Sequence, residues 1–403
     1  MGDLVQQLEA AGIQAVDQTV RYADGEATLH TDLFGVCRSL AEGWGAVPDG
    51  ELEVQIIKGG ITNMLYRVTW TAAAEGTPAA LLVRVFGAKT DIMIDRLKDN
   101  SVFAELGALR FGPAFHGCFR NGRIEGWRNM RPLEPDEMGS VRFLPGIAKQ
   151  LAVMHSLRPA CLAARQAVPE LWETCDKWLA SVQELCFDDA AKAAVLARLD
   201  LGNLARQMTW LKTRLPPLAA RGLHRASAAA DAAQAFASEV VFSHHDLLGG
   251  NILCHPDEAI AADPVAYPSE EVLFIDFEYG GFDFRGFDLA NHFCEYAGYD
   301  FDVEKWYPSK AKQQLFFRAY VAATGGVPAA AQAQPGGEDE FFEALYDIVC
   351  RFALTSNFFW GLWAIIQARH SPIDFDFMEY ARMRFKGFFY LKGLWADDLY
   401  TTE

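Results

Sequence analysis

Residues 240–253 (VVFSHHDLLGGNIL) hold the densest chemistry in the chain. An apolar strand runs into His244-His245-Asp246, and Asn251 follows shortly after. A carboxylate at a strand end can orient an acceptor hydroxyl and take its proton. A nearby amide oxygen is a neutral ligand for magnesium. A capped turn after a strand would use the same residue types. Downstream, residues 272–276 (VLFID) form a second apolar strand that ends in a carboxylate. Asp276 fits a second magnesium ligand, with a helix N-cap as the alternative. Glu278 either binds metal or faces water.

The spacing of Asp246 and Asn251 is that of the protein-kinase catalytic loop, H-R-D-L-x-x-x-N, and Asp276 stands where that pattern places D-F-G. A third piece is Lys58-Gly59-Gly60-Ile61-Thr62-Asn63, a turn able to present backbone N–H groups to phosphates. It lacks the Gly-Lys-Ser/Thr ending of a Walker A loop. A plain hairpin turn has the same composition. Arg84 lies inside an apolar strand, LLVRVFG, where kinases carry a phosphate-binding Lys. An edge residue that snorkels would also fit. Asp99, on the next helix, is the candidate partner of Arg84.

These residues need elements to hold them. One or two helices are expected in 1–50, and strands at 53–58, 64–71 and 80–86. A helix near 94–108 and a strand pair near 113–127 complete a small antiparallel sheet lobe, residues 1–128. Residues 129–403 read as a helix-rich lobe, with a helix at 144–157 and mostly helical chain over 170–215 and 339–390. Residues 217–237 are Ala-rich and read as a loop or weak helix. Residues 257–271 read as a hairpin loop, and 324–337 as a low-complexity surface insertion. The fold class is α+β, and a site is expected between the lobes.

The sequence resembles the choline/ethanolamine kinases, which have a bilobal eukaryotic protein-kinase-like fold. The resemblance spans about 53–392. It rests on IDFEYGGFDFRGFDLANHFCEYAG (275–298) and RFALTSNFFWGLWAIIQ (351–367), supported by GGITNMLYRV, LLVRVFGAKTDIMIDR and IDFDFMEYARMRF. It implies ATP and Mg2+ as cofactors. Asp246 would be the catalytic base, with Asn251 and Asp276, and Glu278 beside them, at the metal. The Gly59, Gly60, Thr62 and Asn63 loop would cover the phosphates, and Arg84 would bind them. Glu125-Gly126-Trp127 would form a hinge against adenine, mostly through backbone groups. Asp288 and His292 would support the catalytic loop. Tyr279, Glu295, Trp360, Trp363 and Tyr380 would receive an ammonium head, for which aromatic faces and a carboxylate are the natural partners. Two Trp three apart on a helix also suit plain core packing, and Glu295 a surface position.

The implied reaction is transfer of the ATP γ-phosphoryl group to an amino alcohol. The product would be phosphoethanolamine, on the CDP-ethanolamine route to phosphatidylethanolamine. Choline differs by three N-methyl groups and cannot donate N–H bonds. Motifs of both types occur, and ethanolamine is favoured, with choline or dual use as the alternative. An aminoglycoside-type phosphotransferase and an inactive binding protein are further readings. Three positions depart from the family pattern. His245 stands where Asn is usual. Asp99 replaces the longer Glu expected to pair with Arg84. Asp300 falls where an aromatic often lines the pocket, with Tyr299 one residue off register, which tilts the expected head group toward a smaller, more hydrated one.

Composition sets bounds on all of this. The 403 residues carry 36 basic and 53 acidic side chains, a net charge of −17, and 51% are hydrophobic. That charge argues against nucleic acid or an anionic membrane as partner. The eight cysteines form no CxxC pair, so reduced thiols in the cytoplasm are expected. The start, MGDLVQQLEA, has no apolar signal region, and Gln6 stands where a myristoylation motif needs Ser or Thr. Residues 352–366 read as a buried helix too short to span a bilayer. No membrane anchor is expected, and the resemblance implies a homodimer.

Overall fold

The computed structural model describes residues 4–57, 63–87, 90, 93–215, 227–298, 300–371 and 373–395. The chain opens with α1 (Leu4–Ala10), β1 (Ala15–Val16) and α2 (Glu26–Leu40). Strands β2 (Leu52–Ile57), β3 (Asn63–Trp70) and β4 (Ala80–Phe86) follow, then α3 (Arg96–Ala108), β5 (Phe115–Phe119) and β6 (Gly122–Gly126). These six strands make one sheet in the order β1-β5-β6-β4-β3-β2. Its pairings are antiparallel except at the edge, where β1 runs parallel to β5.

Strand alternation explains how an arginine fits in β4. Leu81, Val83 and Val85 share one face and are fully buried in a core with Val36, Trp44 and Val68. Arg84 therefore points to the opposite face, which α3 approaches. That helix begins where Asp95 accepts the N–H groups of Leu97 and Lys98, both at 3.1 Å.

Beyond β7 (Arg131–Pro132) helices dominate: α4 (Leu144–Ser156), α5 (Leu171–Glu184), α6 (Ala190–Arg198), α7 (Leu201–Arg214) and α8 (Ala228–Ser238). Short strands β8 (Val240–Ser243), β9 (Ile252–Cys254), β10 (Val272–Phe274) and β11 (Gly281–Phe284) then frame the chemistry, with α9 (Asp257–Ala262) between β9 and β10. The chain closes with α10 (Arg285–Cys294), α11 (Val303–Trp306), α12 (Lys310–Ala323), α13 (Ala329–Gln332), α14 (Gly337–His370) and α15 (Phe377–Trp395). β9 pairs antiparallel with β10, and β8 with β11.

Three expectations change. The Ala-rich stretch is not a weak helix from residue 228 on. Ser227 caps α8, whose Ala229, Ala230, Ala233 and Ala237 are buried, and α8 packs against α14. Small side chains let the two helices approach closely. The 257–271 hairpin connection contains α9, and the 324–337 insertion contains α13, whose Ala331 is fully buried, so it is not purely a surface feature.

Helix α14, 34 residues long, is the spine of the helical lobe. It is long and apolar enough to cross a membrane by length and composition, which the 352–366 segment alone is not. Its most apolar stretch lies wholly inside the fold, packed by α5, α8, α10 and α15, which is the placement of a core helix. Gly361 lets α15 approach, because a Cβ there would meet the Phe385 ring at 2.7 Å. All eight cysteines are free thiols.

Candidate active site

The catalytic-loop segment leaves β8 at Ser243 and turns sharply, with His245 at φ +65°. Such a turn leaves backbone groups without ladder partners, and one face of α10 supplies them. Asp288 accepts the N–H of His244 at 2.9 Å and of His245 at 2.8 Å. Asn291 donates to the His245 carbonyl at 2.5 Å, and His292 Nδ1 pairs with the Leu247 carbonyl at 2.9 Å. Residues 288, 291 and 292 share a helix face by their spacing. Behind them, His155 Nε2 meets Asp288 at 2.9 Å and its Nδ1 meets the Tyr320 hydroxyl at 2.6 Å. Asp288 and His292 therefore support the loop as expected.

Burial alone would raise the Asp288 carboxyl, but the hydrogen bonds from His155 and the backbone hold it well below the usual carboxylate range. Burial pushes His292 down to about 4, so its ring is neutral and Nδ1 carries the donated proton. His245 is a buried ring whose Nδ1 meets the Tyr279 carbonyl at 2.8 Å and whose Nε2 lies 3.3 Å from Asp283. Burial works against its charge, yet Asp283, the Asp288 charge and the Tyr279 carbonyl together outweigh burial and raise it.

The loop presents Asp246, which is partly exposed. Asn251 Nδ2 donates to the Asp246 carbonyl at 2.7 Å and to its carboxylate at 3.1 Å. Ile275 N–H donates to the Asn251 carbonyl at 3.0 Å, and His244 Nε2 meets the Ile275 carbonyl at 3.0 Å. These bonds bring the Asp246 and Asp276 segments together. Asp276 is not a helix N-cap: it sits at φ +64° between β10 and β11. Glu278 is buried rather than facing water. Burial, then the charges of Glu295, Asp276 and Glu278, push Asp246 well above its ordinary range. Burial and Asp276 push Glu278 up to about 7.

A chain of buried charges runs from Asp276 to Glu278 through the sheet lobe. Arg84 donates to Asp276 at 3.2 Å and to Glu125 at 2.7 Å. Arg123 donates to Glu125 and to Asp99, both at 2.8 Å. Arg96 donates to Asp99 at 3.0 Å and lies 3.5 Å from Glu278. Asn63 Nδ2 also lies 3.5 Å from Glu278. One expectation is corrected here. Arg84 is paired with Glu125 and Asp276, while Asp99 holds Arg123 and Arg96. Register explains this: Arg84 and Arg123 are cross-strand neighbours, and Glu125 is two residues along the same face from Arg123. The expected hinge lies at the end of β6. The Glu125 carboxylate turns inward, and the Gly126 N–H is used by the Ala114 carbonyl at 2.7 Å. Trp127 stays partly exposed, with its indole N–H on Asn129 at 2.8 Å. Gly59, Gly60 and Thr62 lie outside the described residues.

The aromatic groups join the same loop support through Asn291. Trp360 lies 5.4 Å from Tyr279 and 5.3 Å from Trp363, ring to ring. Trp363 donates its indole N–H to the Tyr279 hydroxyl, and Trp360 donates to Asn291, each at 2.8 Å. Glu295 is buried, not a surface carboxylate, and accepts from Arg384 Nη2 at 2.5 Å. Tyr380 accepts from Arg384 Nε at 2.8 Å and Nη2 at 2.5 Å. Asp300 is exposed and Tyr299 lies outside the described residues. The next residue, Phe301, is buried, with its ring 6.3 Å from Tyr380 and the Arg384 guanidinium 4.0 Å from its centroid.

Sequence reasoning missed Arg96, Arg123, Asn291, Phe301 and Arg384. The i, i+4 spacing of Tyr380 and Arg384 and the i, i+3 spacing of Asp288 and Asn291 were available as signals. The long-range pairs were not.

Among the described residues, no three His, Cys, Asp or Glu side chains form a metal-binding group by themselves. The candidate set is one amide and two carboxylates, Asn251, Asp276 and Glu278, all oxygen donors. That chemistry suits magnesium, which takes few protein ligands and keeps waters.

Comparison with known proteins identifies the family. A sequence family described as choline/ethanolamine kinase matches residues 54–389. A probable ethanolamine kinase of Arabidopsis thaliana is 30% identical, covering 88% of this chain and 83% of the relative. A choline/ethanolamine kinase of Rattus norvegicus is also 30% identical, covering 89% and 85%. The solved structure of an ethanolamine kinase from Plasmodium vivax superposes with a TM-score of 0.70 at 26% identity, over 92% of this chain and 90% of that one. The α+β, protein-kinase-like bilobal fold expected from the sequence is the fold found. By sequence and by fold, the chain belongs to the choline/ethanolamine kinase family.

Proposed function

We propose that this protein transfers the γ-phosphoryl group of ATP to the hydroxyl of ethanolamine, giving phosphoethanolamine and ADP. The observation that carries this reading is the position of Asp246. It stands on a loop stapled by Asp288, Asn291 and His292, Asn251 donates to it, and the same Asn291 accepts from Trp360, whose ring meets those of Tyr279 and Trp363. Such a carboxylate orients the acceptor hydroxyl and accepts its proton as the oxygen attacks phosphorus. Asn251, Asp276 and Glu278 would hold magnesium, which supplies charge neutralisation at the phosphates. Arg84, fixed by Glu125, adds a rigid cation there. Asn63, at the start of β3, and the Gly59–Gly60–Thr62 segment would cover the phosphates, and the backbone at Trp127 would meet the adenine edge.

The head group would sit among Tyr279, Trp360, Trp363, Tyr380 and Glu295. Cation–π attraction accepts either amine. Ethanolamine is favoured because its N–H groups need acceptors, and Glu295 Oε2 carries no hydrogen bond among the described residues. Choline is the second reading, favoured by Phe301, an aromatic beside Tyr380. Release of ADP by the purified protein with Mg-ATP, with ethanolamine and choline over concentration series, tests both. A higher kcat/KM for ethanolamine is expected. A higher value for choline replaces the substrate assignment, and no turnover with either overturns the reading.

A further inference from the structure

Arg384 is a cation in the wall of a pocket read above as a receptor for a cation. Its side chain is 1% exposed, so its charge is not spent on solvent. Nη2 donates to Glu295 Oε1 and to the Tyr380 hydroxyl, both at 2.5 Å, and Nε donates to the same hydroxyl at 2.8 Å. The guanidinium plane lies against Phe301, 4.0 Å from its centroid. Nη1 is buried without a hydrogen bond among the described residues. A fork held this way has one orientation, and it imposes that orientation on what it binds.

Two consequences follow for the head group. Both lone pairs of the Tyr380 hydroxyl are filled, so the group can only donate and offers an ammonium no acceptor. One oxygen of Glu295 is occupied and the carboxylate plane is fixed, which leaves Oε2 as the directed acceptor. A primary ammonium depends on that direction. A trimethylammonium group, with no N–H, depends on charge and aromatic faces and not on which oxygen points at it.

We infer that Arg384 is a positioning residue for head-group specificity: by filling Tyr380 and one side of Glu295, it makes Glu295 Oε2 the hydrogen-bond selector for a primary over a quaternary amine. This rests on the amino-alcohol kinase reading above. Arg384→Met removes the fork at similar length, and Arg384→Lys keeps a cation but not the planar, three-bond geometry. In each, KM for ethanolamine should rise about tenfold, KM for choline about twofold or less, and KM for ATP should stay within about twofold. The ethanolamine-to-choline ratio of kcat/KM should fall at least about fivefold. In a Glu295→Gln background, Arg384→Lys should add little to the ethanolamine KM, because the two residues act as one unit.

Thermal unfolding reports whether each variant is folded, and Arg384→Lys is read if the Met variant is not. A ratio that Arg384→Lys leaves within about twofold overturns the inference alone. Additive effects with Glu295→Gln also overturn it. A wild-type protein that releases no ADP with either amine overturns the kinase reading and this inference together.

Discussion

The carboxylate of Asp288 accepts the backbone N–H of His245 at 2.8 Å, and its other oxygen takes that of His244 at 2.9 Å. The two amides just before Asp246 are thus tied to the first turn of α10. Asp288→Ala should abolish turnover without touching substrate. It also leaves His155 Nε2 and two buried N–H groups unpartnered, which costs about 3–5 kcal/mol. Thermal unfolding and ADP release together check this; a stable, active variant would remove Asp288 from its role.

Asp246→Ala should lower kcat about 10²- to 10⁴-fold, the usual worth of a positioned acid–base group. The variant should unfold no earlier than the wild type, because the substitution removes a carboxylate pressed by Glu295, Asp276 and Glu278. Retained activity would exclude it as the base.

Trp360→Phe and Trp363→Phe keep a ring but lose the N–H groups given to Asn291 and Tyr279. KM for the amine should rise several-fold, within the roughly 0.5–2 kcal/mol expected of a cation–π contact, and KM for ATP should not. Alanine at either site should raise the amine KM further, but it opens a core cavity worth about 3–5 kcal/mol. Equal changes in both Michaelis constants would make these residues structural.

Acidification from pH 7 to 5 acts on stability in two directions, which one variant separates. Burial lowers His155, His244 and His292, the last to about 4. The unfolded chain takes up protons on these rings below about pH 6.5 while the native state resists, so unfolding gains protons and becomes easier. His292 alone should contribute about 2 kcal/mol of loss between those limits. His245 has the opposite sign: Asp283 raises it against burial, so its contribution is present below about 6.5 and lost as pH rises. The carboxyls of Glu278, Asp246 and Asp283, raised by burial, likewise favour the native state as pH falls, so Glu278→Gln should make the loss of stability between pH 7 and 5 steeper than in the wild type. A melting temperature of that variant that falls no more steeply with pH than the wild type's would contradict this.

How much of this was legible in the sequence varies with range. β4, α3 and α14 follow from local periodicity, and Asp246, Asn251 and Asp276 from spacing along one stretch of chain. The pairing of Arg84 with Glu125 rather than Asp99 was not legible, because strand register is set by pairing across the sheet. Arg384 was visible as a residue but had no role until α15 was seen to bring it to Glu295. Phe301 was not singled out, and its positive φ of 44° is a turn that no local pattern announces. Helix α8 was read as weak because alanine gives little hydrophobic signal, although small side chains are what close packing against α14 needs.

Gly361 sits between Trp360 and Trp363 on α14, and the Phe385 ring that presses on it follows directly after Arg384 on α15. The two helices that carry the proposed amine-binding residues therefore have a fixed spacing, set where a methyl group is missing. They cannot draw apart to admit a bulkier guest without losing the Phe385 contact, nor close further. Adaptation to a new head group would have to come from exchanging side chains at the lining positions, with the two helices kept as an invariant frame.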